Sequence, residues 1–139
     1  MSAKANMALV RQWVEAIWNQ GDLERIIDFH PPTFVNEGKP STPEEVKQWH
    51  LNQRNTFPDL HYTIEDLFAT EDRMAIRWTA SATHRGLFWN LIPPTGNGIT
   101  WNGIHLLRLQ DGKIIEVWAL QNNIAQLRQM GATLHPAAA

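Results

Sequence analysis

The sequence predicts an α+β fold in which a curved antiparallel sheet wraps a long N-terminal helix, and three observations predict it. Met7, Val10, Val14 and Ile17 recur at spacings of three, four and three, the repeat of one helical face. The chain after His61 holds runs of β-branched and aromatic residues, the composition of strands. Asp111-Gly112 separates two such runs, a strong signal for a two-residue hairpin. Helices first and a meandering sheet afterwards is the α+β order, and a curved sheet laid on a long helix leaves a cavity between them.

The elements follow in order. The first helix is expected from about Lys4 to Asn19, ended by Gly21 as a C′ glycine. A short second helix follows from Asp22 to about Phe29, with Asp22 as cap and Pro31-Pro32 as its stop. Thr33 to Glu37 reads as a short strand. Thr42, Pro43 and Glu45 form the start of a third helix, as cap, first helical residue and closing member of a capping box. It ends before Phe57-Pro58-Asp59. Strands are expected over His61 to Ala69, over Met74 to His84, and on either side of Asp111-Gly112. The segment Gly86 to Gly98, with Pro93-Pro94-Thr95-Gly96, is a loop. A last helix is expected from about Asn123 to Met130, ended by Gly131, and the tail from about residue 133 to 139 frays.

Length and composition bound the function. The 139 residues fit one domain, with a core over about 8–132, and can bury a core without staples. There is no cysteine, which excludes disulfides, thiolate nucleophiles and cysteine-rich zinc sites. The net charge is −2 with signs mixed along the chain, so nucleic acid is not an expected partner. No apolar run has membrane-spanning length and the N-terminus lacks a signal-peptide core, so a cytoplasmic protein with no membrane partner is expected. Seven tryptophans suit either a bulky core or a pocket of flat rings for an aromatic ligand.

The hairpin yields the candidate site. With Asp111 and Gly112 as the turn, Gln110 faces Lys113, His105 faces Trp118 and Trp101 faces Asn122. One face then carries Trp101, His105, Leu107 and Leu109, with Ile114, Glu116, Trp118, Leu120 and Asn122 opposite them. Arg108, Lys113 and Gln121 fall on the other face, which suits solvent or a subunit contact. The first face is apolar with polar groups embedded in it. His105, Glu116 as its orienter and Asn122 are the expected catalytic residues. Trp101, Trp118 and Trp13 are the expected substrate-binding residues. A satisfied internal network is the plain alternative for His105, and either Asn122 or Asn123 could cap the last helix; Asn123 is taken as the cap and Asn122 as facing inward.

Several chemistries lack their motif. The six histidines show no i, i+4 pair of a helical zinc site, so no metal is expected. No Gly-x-Ser-x-Gly elbow occurs. Gly96-Asn97-Gly98 lies between strands and is a turn, not a phosphate cradle. Tyr62 is the only tyrosine, which counts against ketosteroid-isomerase chemistry.

Three segments resemble the SnoaL-like polyketide cyclases of the nuclear transport factor 2-like superfamily. They are Phe57-Pro58-Asp59 with its following strand, Arg77 to Gly86 with Thr83-His84-x-Gly86 and Pro93-Pro94-Thr95-Gly96, and Asp111 to Trp118 closing with Leu127-x-Gln129-Met130-Gly131. Trp18-Asn19-x-Gly21-Asp22 is similar to the wider superfamily. The resemblance implies a cone-shaped α+β domain, a homodimer, and ring closure of a polyketide ester by intramolecular aldol condensation without cofactor or metal. It also implies an acid–base aspartate four residues after the tryptophan of the last strand, where this chain has Asn122. An amide donates to an enolate oxygen but accepts no proton at neutral pH. Three readings follow: a cofactor-free acid–base enzyme, a binding protein for a hydrophobic or aromatic small molecule, and a structural or assembly dimer.

Overall fold

A computed structural model describes residues 2–138. Helix α1 (Ala3–Trp13) runs without a break into a six-residue π-helical segment, Val14–Asn19. Gly21 at φ +67° ends it. A 3₁₀ turn (Leu23–Arg25) leads into α2 (Ile26–Phe29). Strands β1 (Phe34–Asn36) and β2 (Lys39–Ser41) form a small hairpin, and α3 (Pro43–Thr56) follows. Strands β3 (His61–Ala69), β4 (Arg73–Thr83), β5 (Gly98–Gln110) and β6 (Lys113–Gln121) make the meander, and α4 (Asn123–Gln129) closes the chain.

The sheet has six strands in the order β2-β1-β6-β5-β4-β3. It is mixed: β1 lies parallel to β6, while every other pair is antiparallel. The expected single strand over Thr33–Glu37 is thus one arm of a hairpin whose other arm, β2, carries Pro40 at the sheet edge, where a missing N–H is harmless. The core lies between the inner sheet face and the helices. Ile17, Ile76, Ile99 and Ile114 are fully buried there, each contributing about 1.5–3 kcal/mol by leaving water.

Two expected caps are corrected. Asp22 makes no capping hydrogen bond, because the turn after Gly21 tightens into 3₁₀ geometry. Thr42 does cap α3, accepting from the Glu45 N–H at 3.3 Å, but the Glu45 carboxylate accepts from Ser41 instead of closing the box. Among the described residues no helix is long and apolar enough to cross a membrane.

The segments that carry the resemblance build a corner. Both carboxylate oxygens of Asp59 accept from Thr83, one from its N–H and one from its hydroxyl, each at 2.7 Å. These bonds hold the Asp59 carboxyl below its ordinary range. The Thr56 carbonyl accepts from the N–H groups of Arg85 and Gly86, and the main chain at Asn55 sits where a Gly86 side chain would be. Buried His84 accepts at Nδ1 from the Thr95 N–H at 3.3 Å, pinning the Pro-Pro-Thr-Gly turn.

Candidate active-site cavity

A cavity of about 430 Å³ opens between the inner sheet face, the N-terminal helix and α3. The π-helical segment brings its first two walls together. Residues five apart diverge on an α-helix, but the wider turn returns Trp13 and Trp18 to one side. Their indoles meet edge to face at 5.5 Å. The end of this segment is anchored from outside: the Arg54 guanidinium donates to the carbonyls of Trp18 and Asn19 at 2.9 and 2.8 Å. Asn19 in turn exchanges two hydrogen bonds with the main chain of Tyr62. Any side chain at Gly21 would strike Arg54, at 2.6 Å from its Nε.

Three imidazoles join the indoles in the wall: His30, His50 and His105. All three are buried. Burial pushes His30 and His105 down to about 4, and burial together with the Arg54 charge pushes His50 down to about 3. At neutral pH each ring is therefore uncharged. His105 accepts at Nδ1 from the Trp78 Nε1–H at 2.8 Å. Trp78 reaches it because Gly103 lies opposite on β5 and leaves room for the indole. His30 bonds through Nδ1 to the Ile114 carbonyl at 2.9 Å. Edges of Trp13 approach both rings, at 6.2 Å for His30 and 6.0 Å for His105.

The remaining polar groups are sparse. The buried Nε1–H groups of Trp13 and Trp18 have no acceptor among the described residues. An unpaired buried donor costs about 1–3 kcal/mol, so these two positions carry a polar cost inside the wall. Glu37 lies at the cavity rim, with φ +53° in the two-residue turn between β1 and β2. Its carboxylate accepts from the Ala119 N–H at 2.6 Å. Burial pushes the Tyr62 hydroxyl up, so it stays protonated. No group of three or more His, Cys, Asp or Glu side chains among the described residues is arranged to hold a metal ion.

The expected site is partly assembled and partly corrected. His105 and Trp13 line the cavity. Trp101 is on the inner face but is core, packed 5.0 Å from Phe57 and donating to Gln121 at 3.0 Å. Glu116 and Trp118 are on the opposite face. The cause is a bulge: Arg108 pairs with Glu116 but Leu109 with Ile114, so Ile115 is an extra residue that slips the register by one. His105 consequently faces Ala119, not Trp118. Glu116 pairs with Arg108 at 3.2 Å and accepts from the Trp118 indole at 2.9 Å, away from the imidazole. Asn122, expected to face inward, caps α4 by accepting from the Ala125 N–H at 3.1 Å. Asn123, expected as the cap, donates to Gln126 at 2.7 Å.

Sequence reasoning missed Trp18, Trp78, His30 and His50. The alternation Trp78-x-Ala80-x-Ala82 could have placed Trp78 on the inner face. His30 carries no local signal, because its partner is 84 residues away on β6.

The model of the SnoaL-like polyketide cyclase family matches residues 8–130. Among solved structures, AclR, a proposed hydroxylase from Streptomyces galilaeus, is 32% identical, with 94% of this chain and 98% of that one covered at a TM-score of 0.80. IdmH, a proposed polyketide cyclase from Streptomyces antibioticus, is 28% identical over 86% of this chain and 94% of its own, at a TM-score of 0.75. TsrD from Streptomyces laurentii has the same fold, with a TM-score of 0.85 at 21% identity over 96% of this chain and 99% of that one. No curated sequence gives a match. The matched model spans nearly the whole chain, and the protein therefore belongs to the SnoaL-like polyketide cyclase family.

Proposed function

We propose that the cavity binds a hydrophobic, carbonyl-bearing small molecule and catalyses a cofactor-free acid–base reaction on it, of the cyclase type. In an intramolecular aldol closure a C–H bond next to one carbonyl breaks and its electron pair forms a C–C bond to a second carbonyl. The second carbonyl's oxygen then takes up a proton, so the product is an isomer of the substrate. The chemistry needs a proton acceptor, a donor for the enolate oxygen, and exclusion of water. The observation that carries this reading is the cavity wall itself: neutral imidazoles set in an apolar enclosure of indole rings.

A binding protein that leaves its ligand unchanged is the second reading. It is favoured by the position of Glu116, whose carboxylate pairs with Arg108 on the other face and does not orient His105. For either reading a homodimer through the outer sheet face is proposed, because Phe68, Ile104, Leu106 and Leu120 are all more than half exposed there.

Titration with methyl esters of aromatic polyketides and with cyclic 1,3-diketones, followed by tryptophan quenching, tests binding. Chromatography and mass spectrometry of the recovered ligand, with an isomer check, test turnover. Saturable quenching with a changed ligand is the expected result. Saturable quenching with an unchanged ligand selects the binding protein.

A further inference from the structure

We infer that His30, through Nε2, is the proton acceptor of this site and that His105, through Nε2–H, is the donor to the enolate oxygen. The inference rests on the enzymatic reading above and assigns its two chemical roles.

The assignment follows from the Nδ1 partners. An indole N–H can only donate, so Nδ1 of His105 carries no proton where it meets Trp78. A neutral imidazole has one N–H, so His105 bears it on Nε2 and offers a donor. A peptide carbonyl can only accept, so Nδ1 of His30 carries the proton where it meets Ile114. His30 therefore keeps a lone pair on Nε2. Neither Nε2 has a protein hydrogen-bond partner among the described residues, and both rings line the cavity next to Trp13. The two histidines are thus opposite tautomers held by opposite kinds of partner.

His50 does not compete for either role. Among the described residues no group hydrogen-bonds to its ring to fix the tautomer, and its helix neighbour Arg54 opposes the charge that a base must acquire. His105, expected from sequence to be catalytic, is unsuited to act as the base, because its Nδ1 lone pair is spent on Trp78.

The step balances without a further reactant. The lone pair of His30 Nε2 takes the proton from a carbon flanked by two carbonyls. The C–H electron pair moves into the enolate, whose oxygen is held by His105 Nε2–H. The enolate carbon attacks a third carbonyl further along the same molecule, the C=O π pair moves onto its oxygen as the C–C bond forms, and the resulting alkoxide takes the proton back from His30. The Ile114 carbonyl supports the transient imidazolium at Nδ1–H. Desolvation makes His30 a weak base, which matches a doubly activated C–H and not a simple ketone. The substrate class is therefore a β-dicarbonyl that carries a further, electrophilic carbonyl.

Two measurements test this. In ¹⁵N NMR of the whole protein at neutral pH, Nε2 of His30 should show a pyridine-type signal and Nε2 of His105 a pyrrole-type one. A protonated His30 Nε2 overturns the inference and leaves the enzymatic reading standing. The second measurement is deuterium uptake at the central carbon of ethyl 2-methylacetoacetate in D₂O, taken as the rate in excess of that without protein. His30→Asn keeps an N–H for Ile114 and removes the base; this excess should fall about 100-fold with keto-ester binding retained. Unchanged excess exchange in His30→Asn overturns the role of His30. Wild-type protein that binds the keto ester without accelerating its exchange overturns the enzymatic reading, and the role of His30 with it.

Discussion

The Nε1–H of Trp78 donates to Nδ1 of His105 at 2.8 Å inside the sheet, between neighbouring strands β4 and β5. This bond joins a core residue to a cavity residue. It explains how a buried histidine can be both fully satisfied on one side and chemically available on the other. Sequence reading treated those as alternatives; the two ring nitrogens divide them.

Replacing Trp78 with phenylalanine keeps an aromatic ring in place and removes the N–H together with the five-membered ring. His105 Nδ1 then has no donor, and the imidazole is free to move its proton from Nε2. Loss of the buried bond should destabilise the fold by about 1–3 kcal/mol in urea titration. Turnover should fall about tenfold or more as the oxyanion donor is lost from part of the population. The ¹⁵N spectrum of His105 separates this from a purely structural effect, since only a change of tautomer alters its Nε2 signal.

Gly103→Ala tests the same arrangement from the other strand. An added Cβ would overlap the Trp78 indole and lie 2.7 Å from the Leu120 carbonyl. The main-chain neighbour cannot yield, so the indole must move. The variant should lose about 1–3 kcal/mol from overpacking. Near-ultraviolet circular dichroism should show the altered tryptophan environment at temperatures where the variant is still folded.

The buried histidines set a pH dependence whose sign is fixed. Their values in the folded chain are about 4, 3 and 4 for His30, His50 and His105, against an ordinary 6.5. The unfolded chain therefore binds protons between pH 6.5 and 4 that the folded chain does not, so stability falls on acidification through that window. Each ring contributes a slope of up to about 1.4 kcal/mol per pH unit. Urea midpoints measured from pH 7.5 to 4.5 should fall accordingly. His50→Gln should flatten the dependence by about one ring's share. A midpoint insensitive to pH in this range would mean that the rings are charged or wet.

Much of the fold was legible because its signals are local. Thr42 and Pro43 start α3, and Asp111-Gly112 turn the hairpin with both residues at positive φ. The inner face of β5 followed, since Trp101, His105, Leu107 and Leu109 are all buried. The strand opposite was misread because a turn fixes only the first pair, Gln110 with Lys113. Ile115 enters as a bulge two residues later, and every side chain beyond it changes face. A bulge leaves no mark in composition. The π-helical turn is equally silent: the bonds that hold its end, from Arg54 to the Trp18 and Asn19 carbonyls and from Tyr62 to Asn19, are tertiary. The site was therefore only half visible, since its geometry depends on those two irregularities.

The same bulge makes the outer face apolar. Trp118 and Leu120 join Ile104, Leu106 and Phe68 on it, where the unslipped register would have put Val117 and Ala119. If this face is the dimer interface, Leu106→Glu should yield monomer in sedimentation equilibrium while far-ultraviolet circular dichroism stays unchanged. A wild-type protein that sediments as monomer at tens of micromolar would remove the dimer from the proposal.

Asn122 occupies the position at which the family resemblance implies an acid–base aspartate, and here its side chain caps α4. Restoring the carboxylate therefore tests whether residue identity or placement decides its role. Asn122→Asp should leave stability nearly unchanged or slightly raised, because aspartate is as good an N-cap as asparagine and interacts favourably with the helix terminus. Asn122→Ala should cost about 1 kcal/mol. If the cap geometry persists, Asn122→Asp should not restore or raise turnover, because its carboxylate remains committed to the Ala125 N–H, and His30→Asn should stay inactive in that background. A gain of activity in Asn122→Asp that survives the loss of His30 would show that the new carboxylate leaves its cap and replaces the imidazole as base.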